Sequence, residues 1–378
     1  MCQQPPSPAA TVTFFAALQH LPDPRDQRGK RHELAFVLCG VILAIMAGRS
    51  RVSAMHRFLH NRLAWLCETT QTSVARGISR AQLPRLLARV DWEALNALVL
   101  THFGVHLESA AAAGEWVAVD GKALRGSPGE QVLLARTHQS GRILAQQRLA
   151  GPKRSEVTAV RTLLAQPQLT GCKLTLDAAH CNPTTTAQIH RAQGGYLVQV
   201  KANQPTLLAA VRAVAATTPS LGTLPQVDKA HGRLEVRHAT VFSLADLPLA
   251  PRWQHSGLRH VVRLERTTEQ LTTAKRSQAV AYYVTNQDAA TPPAQAVLCA
   301  AIRGHWGCEA DHWIRDVTLH EDQILVKQST QAHVLGSLRT LVMGLFRRAG
   351  VTNLRAMLDN LADSPALFTQ LLCQVGFL

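Results

Sequence analysis

An all-helical N-terminal domain, followed by an α/β core built on a mixed sheet, is the fold class this sequence predicts. Three observations carry the prediction. Helical periodicity runs from residue 13 to about 109. After residue 114, short apolar strands alternate with helices, and two of those strands end in aspartate. From residue 219 to about 285 the pattern changes again, to short runs of alternating apolar and polar residues that read as a β-rich insertion.

The elements follow in order. Residues 1–12 form a Pro-rich tail expected to be disordered. Residues 13–21 read as a helix stopped by Pro22, and 23–31 as a polar, basic loop. Helices are expected at 33–48, 51–66, 79–88 and 91–107, so that 13–109 make the helical domain and 110–114 the linker. The apolar run 35–48 is too short for a bilayer span, which needs about 20 residues; flanked by Arg31, Arg49 and Arg51, it reads as a buried helix. Beyond the linker, 115–120 is a strand, and 132–138 and 143–149 form a hairpin around the turn 139–142. A helix at 156–164, a strand at 173–177, a helix at 184–193 and a strand at 196–201 follow. Three antiparallel strands and then helix–strand–helix–strand is the order of the ribonuclease-H-like fold. That order sets the ends of the first and fourth strands side by side. Within the insertion, strands are expected near 233–237, 259–264 and 280–284, and Pro292-Pro293 opens a helix. The core is expected to span 115–330, with helices at 330–348 and 354–373 forming a C-terminal segment, 331–378, packed on it.

Lys and Arg number 40 against 25 acidic residues, a net charge of +15 spread along the chain. Such a balance favours a polyanionic partner, because phosphate contacts release counterions; an anionic membrane surface is the competing partner. The eight cysteines form no CxxC pair or regular framework, and the N-terminus has no charged stretch followed by an apolar run. Reduced thiols in a cytoplasmic protein, nucleoid-associated when bound to DNA, are expected.

Three carboxylates stand out. Asp120 ends Glu115-Trp116-Val117-Ala118-Val119-Asp120, Asp177 ends Lys173-Leu174-Thr175-Leu176-Asp177, and Glu309 lies in a later helical stretch. Converged around divalent cations, such a set performs phosphoryl transfer. Plainer readings exist: Asp-Gly at 120–121 is a turn signal, Asp177 suits a helix cap, and Asp311 and Asp316 compete with Glu309 in its own block. His305, Cys308 and His312 share a helical face, but three local ligands without a matching pair elsewhere fall short of a zinc set. Hard oxygen ligands suit Mg²⁺ or Mn²⁺. Lys122, Arg125, Lys201 and Asn203, just past strand ends, are candidates to hold phosphate, as is Arg303; each is otherwise an ordinary solvated residue.

Three blocks together resemble a known family. Val119-Asp120-Gly121-Lys122-Ala123-Leu124-Arg125-Gly126-Ser127 is similar to its first-aspartate motif. Leu176-Asp177-Ala178-Ala179-His180, with the stretch from Gly194 to Pro205, is similar to its second-aspartate block. Arg303-Gly304-His305-Trp306-Gly307-Cys308-Glu309 and the following Ala310-Asp311-His312-Trp313-Ile314-Arg315-Asp316-Val317 are similar to its glutamate block. Upstream, Asp23-Pro24-Arg25 to His32 and the apolar helix after it resemble its N-terminal domain. The chain resembles the DDE transposases of bacterial insertion sequences, in the group that includes the H-repeat-associated proteins. An aliphatic residue is common there at the place of Cys308.

The resemblance implies a DNA transposase. Asp120, Asp177 and Glu309 are then both the catalytic residues and the ligands of two Mg²⁺ (or Mn²⁺) ions. Double-stranded DNA, as terminal inverted repeats and as target, is the partner, and a homodimer synapses two ends. Lys122, Arg125, Lys201, Asn203, Arg233 and Arg303 are the expected DNA contacts; Arg233 belongs to His231-Gly232-Arg233, a recurring feature of the group. His180, His305 and Asp316 are expected to support the site. Two rivals stand beside this reading: a nuclease or junction resolvase on the same fold that cuts without joining, and a domesticated copy that only binds DNA.

Overall fold

Helices occupy the chain as far as residue 103, as the periodicity predicts. The computed structural model describes residues 13–26, 28, 30–103, 114–127, 129–149, 154–230 and 232–378. The expected disordered tail lies outside the described residues, as do linker residues 110–113 and His231. The N-terminal helices are α1 (Phe14–Gln19), α2 (Leu34–Met46), α3 (Val52–Asn61), α4 (Leu63–Thr70), α5 (Gln82–Leu87) and α6 (Trp92–Phe103). Strands β1 (Trp116–Ala123), β2 (Gln131–Thr137) and β3 (Ile143–Leu149) precede α7 (Arg154–Leu164), β4 (Lys173–Leu176), α8 (Pro183–Arg191), β5 (Gly195–Val200) and α9 (Pro205–Thr217). Then come β6 (Gly222–Ala230), β7 (Arg233–Ser243), β8 (His260–Gln270), β9 (Arg276–Thr285), α10 (Pro292–His305) and α11 (Gly307–Trp313). Helices α12 (Ser329–Arg348), α13 (Leu354–Asp363) and α14 (Pro365–Gln374) end the chain.

Two compact units result: Met1–Val105 with Ala123–Val132 and Asp311–Leu378, and His106–Lys122 with Leu133–Ala310. In the first, every residue of α2 is buried. A helix apolar on all sides has no face to give to water and needs partners all round. It finds them in α1, α3, α12 and α13. Helix α12 is buried almost continuously from Gln331 to Phe346 and also packs on α5 and α6. Residues 331–378, expected to pack on the α/β core, cluster with the N-terminal helices, where α12 and α13 pack on α2. No described helix is long and apolar enough to cross a membrane.

Two polar devices brace this unit. The Arg25 backbone N–H and guanidinium both donate to the Asp23 carboxylate, the guanidinium at 2.9 and 2.7 Å, and the guanidinium also reaches the His32 carbonyl. Arg25 is thus spent on folding the loop that the sequence marked as basic, while Arg28, Lys30 and Arg31 stay exposed. Deeper in, the Arg315 guanidinium donates twice to the Glu321 carboxylate at 2.8 Å, and Arg339 stands 3.7 Å from the same carboxylate. All three are buried.

The second unit holds one nine-stranded sheet in the order β3-β2-β1-β4-β5-β9-β8-β7-β6. Strands β1, β4 and β5 are parallel; β5 and β9 pair antiparallel, and β9, β8, β7 and β6 continue as an antiparallel meander. The region read as an insertion is β-rich as expected. It is not a separate body, because β9 hydrogen-bonds directly to β5 and extends the same sheet. Alternation along the strands makes two cores. Val117, Val119, Leu174, Leu176, Tyr196, Val198 and Val200 face the cluster that includes α7, α8 and α9, and Trp116 and Leu197 face the one built with α10.

Candidate active site

The same alternation positions the acids. Val117 and Val119 of β1 point into one core, so Asp120 points to the opposite face, that of α10. Leu174 and Leu176 of β4 place Thr175 and Asp177 on this face, and in β5 it carries Gln199, with Lys201 following. Val119 is paired with Leu176 in the parallel register, so Asp120 and Asp177 are the next residues along on neighbouring strands. Asp120 lies within β1 and not in a turn, and its carboxylate accepts the Gly121 N–H at 2.9 Å. Asp177 caps the short turn Ala178–His180, accepting the Ala178 N–H at 2.6 Å, and its carboxylate also lies 3.6 Å from Lys201 Nζ. The capping and ligand readings of Asp177 are therefore compatible, since a carboxylate has lone pairs left over for a second partner.

Glu309 comes from the first turn of α11. It lines, with Asp120 and Asp177, a cleft of about 460 Å³ between the sheet and the α10–α11 corner. What brings that corner so near the sheet is the absence of side chains at two positions. A Cβ on Gly304 would strike the His138 ring, and one on Gly307 the Arg136 guanidinium. Between them His305 Nδ1 shares a 2.9 Å hydrogen bond with Thr175 Oγ1, which shares another of 2.9 Å with His138 Nε2. Thr175 is two residues before Asp177, so this chain ties the glutamate-bearing corner to the strand that ends at the second aspartate. Gly304→Ala is expected to cost about 1–3 kcal/mol of stability and to displace Glu309 from the cleft. Thermal denaturation checks it; an unaltered melt would show that the corner has room to spare.

Electrostatics confirm that the three acids share a field. Burial pushes the Asp120 carboxyl up to about 6, and the nearby charges of Asp177 and Glu309 push in the same direction. His138 is held down to about 3 by burial, by His305 and by Arg136, so it is neutral at physiological pH. Burial likewise lowers His305, against the pull of Asp177. Among the described residues no three His, Cys, Asp or Glu side chains are drawn together into a ready-made metal cluster. The acids line the cleft as separate groups. A carboxylate whose proton affinity is raised by burial and by two neighbouring carboxylates nevertheless fits a hard divalent cation, which relieves the repulsion that protonation otherwise relieves. The sign follows. Asp120 has a raised folded-state value, so the metal-free fold binds more protons than the unfolded chain between 3.8 and about 6 and loses that stabilisation as pH rises through about 6. Cation binding must displace the proton. Mg²⁺ or Mn²⁺ affinity, read by calorimetry, is expected to fall as pH drops below about 6, and a pH-independent affinity across that value refutes the assignment of Asp120 as a ligand.

The other expected residues divide. Lys201 and Arg303 line the cleft; Arg303 is half-exposed and lies 3.2 Å from Asp228. Arg233 is exposed at the β6–β7 hairpin. Lys122 is buried, 4% exposed, so it is not presented to a DNA backbone as expected. Asn203 is exposed, and its Nδ2 donates to the Ala178 carbonyl at 2.7 Å, bracing the turn after Asp177. Arg125 is exposed, 3.6 Å from Asp322, in the helical unit, as is Asp316. His180 is buried with Nε2 3.6 Å from Glu156 Oε1, and His305 lines the cleft. The sequence reading missed Glu156, Thr175 and His138, whose role needs three-dimensional contacts. It also missed Arg237 and Arg266, which line the cleft from β7 and β8.

Comparison with known proteins adds an independent line. Residues 15–103 match the family model described as DDE_Tnp_1-associated. The chain is 25% identical over 340 residues to "Putative transposase YncI" of Escherichia coli O157:H7, covering 86% of this chain and 85% of that protein. It is 30% identical over 260 residues to "Uncharacterized protein in dhlA 3'region" of Xanthobacter autotrophicus, covering 66% and 86%. "H repeat-associated putative transposase YhhI" of Escherichia coli K12 is 25% identical over 243 residues, with 61% and 63% covered.

Proposed function

The chain belongs to the family of bacterial transposases that includes the H-repeat-associated proteins, and from that premise we propose that it cuts transposon ends and joins them to target DNA at the cleft of Asp120, Asp177 and Glu309. The observation that carries the proposal is the placement of two aspartates one step beyond a parallel β1–β4 pair, with a glutamate from α11 lining the same cleft. We read the first five strands, in the order β3-β2-β1-β4-β5, as a ribonuclease-H-like sheet.

The three carboxylates would hold two divalent cations, Mg²⁺ or Mn²⁺, which supply nucleophile activation and stabilisation of the leaving oxygen. The residues around them orient the DNA. Lys201, close to Asp177, and the half-exposed Arg303 offer cationic groups for the phosphates flanking the scissile bond. Thr175, His305 and the two glycines of the α10–α11 corner keep Glu309 over the strand ends. Water attack at each transposon end frees a 3′-hydroxyl, and that hydroxyl attacks target DNA in line. One phosphodiester replaces another, so no ATP is consumed and no covalent enzyme intermediate is needed. Two ends require two active sites, so a homodimer on double-stranded DNA is the working form. Arg233 and Arg125 are further backbone contacts, and the helical unit recognises the terminal inverted repeats.

Pre-cut and uncut DNA carrying the sequences that flank the gene, incubated with the protein and Mg²⁺, tests the reading. Joined products from pre-cut ends support it. Cleavage without joining identifies a nuclease instead, and DNA binding without metal-dependent cleavage identifies a binding protein.

A further inference from the structure

Between Glu33 and Asp91 the chain carries eight arginines, at 49, 51, 57, 62, 76, 80, 85 and 89, and a single acidic residue, Glu68. A folded protein that gathers like charges in this way loses stability to their repulsion unless an anion compensates. Three of the first four gather around one place. Arg49, Arg57 and Arg62, with Asn61, line a pocket of about 630 Å³ on α3 and at the α3–α4 bend. Among the described residues none of Arg49, Arg51, Arg57 or Arg62 forms an ion pair. Arg62 is held in place by other means: its guanidinium lies 5.7 Å from the Phe58 ring centroid and donates to the Ala362 carbonyl at 2.8 Å. It is a fixed donor, already ordered before any ligand arrives.

The rest of α3 narrows the partner. Met55, Phe58 and Leu59 are buried, while Arg57, His60 and Asn61 are exposed at helical spacing, so the outer face of α3 is wholly polar. A helix that lies on a membrane needs an apolar outer face, and this one has none. Single-stranded nucleic acid is held largely by base stacking on aromatic rings. The rings that line this pocket, Phe58 and Trp65, are already packed on Phe368, at 6.2 and 5.4 Å between centroids, and Phe58 is buried. What remains is a set of fixed and mobile guanidiniums beside a polar helix face, which suits the phosphate backbone of a duplex with the helix at the adjoining groove.

We propose that the pocket of Arg49, Arg57 and Arg62 seats a backbone phosphate of double-stranded DNA, with the exposed face of α3 set to the groove beside it. This rests on the DNA-transposing reading above and locates the duplex contact of the helical unit. Arg49, Arg57 and Arg62 hold the phosphate and fix the register, and Asn61 approaches base edges.

The full-length protein is titrated by fluorescence anisotropy against two duplexes, one carrying the flanking ends and one scrambled, across about 50–200 mM salt. The variant Arg49→Ala/Arg57→Ala removes two exposed side chains, and its thermal midpoint is expected to match the wild type. It is expected to bind both duplexes roughly tenfold or more weakly, with the slope of log affinity against log salt reduced by about 1–2. Arg57→Lys keeps the slope. An unchanged slope in the double variant overturns the assignment, as does wild-type protein that binds phosphatidylserine vesicles or single strands in preference to either duplex. Metal-dependent cleavage by the wild type is measured in parallel. Cleavage with an unchanged slope defeats the pocket and leaves the enzymatic reading standing; a reduced slope without any cleavage does the reverse.

Discussion

Asp120→Asn, Asp177→Asn and Glu309→Gln are each expected to lower cleavage and joining by roughly a thousandfold or more while DNA affinity stays close to wild type. The size follows from what each change removes. A cation bound by these groups contributes several kcal/mol to the barrier, and each ~1.4 kcal/mol is a factor of ten in rate. Amides keep the shape and part of the hydrogen bonding but not the charge. Asp120→Asn and Asp177→Asn retain an oxygen for the Gly121 and Ala178 N–H groups, so the local backbone is held as before. Folding is expected to be unharmed, and Asp120→Asn is expected to stabilise the metal-free protein slightly at neutral pH, because it removes a half-buried charge from the field of two others. Single-turnover assays with Mg²⁺ and with Mn²⁺ measure the first effect, and thermal melts the second. Near-normal joining by any of the three variants removes that residue from the catalytic set.

Glu321→Ala is expected to give the largest loss of stability of any single change considered, about 3–5 kcal/mol. The glutamate takes two hydrogen bonds of 2.8 Å from Arg315 and stands 3.7 Å from Arg339, all out of contact with water. Its removal leaves two guanidiniums buried with no counter-charge. Burial already pulls the Arg339 guanidinium below its usual value, against the favourable pull of Glu321, so the loss falls on a group under strain. Replacing Arg315, Glu321 and Arg339 together by leucine is expected to restore much of the loss, since an apolar triad has no charge to desolvate. Urea denaturation of the single and triple variants makes the comparison. A single variant within about 1 kcal/mol of wild type shows that water reaches the triad.

The strand that carries Asp120, although it runs on to Ala123, the strand that leads into Asp177 and the buried character of α2 were all legible, because each is written in local periodicity. Their adjacency was legible too, since element order constrains which strands neighbour one another. Other features depend on partners far away in sequence. Nothing local to 331–378 says that α12 packs on α2; both are simply apolar helices. Runs near 233–237 and 280–284 announce strands, but only the pairing of β9 with β5 shows that they extend the core sheet. Lys122 looks like a surface residue beside the first-aspartate motif, yet it is buried. Gly304 and Gly307 were visible as letters in the motif. Their reason, the ring of His138 and the guanidinium of Arg136, lies on the β2 side of the sheet.

The union of α2 with α12 also sets a timetable. About 280 residues separate the two helices, and at a synthesis rate of about 5–20 residues per second that is tens of seconds. Through that interval α2 has emerged from the ribosome without the partner that closes its apolar circumference, while the whole nine-stranded sheet has already been made. The helical unit reaches its final packing only once α12 has been made. A chain interrupted between Glu309 and α12 carries all three carboxylates while α2 still lacks that partner.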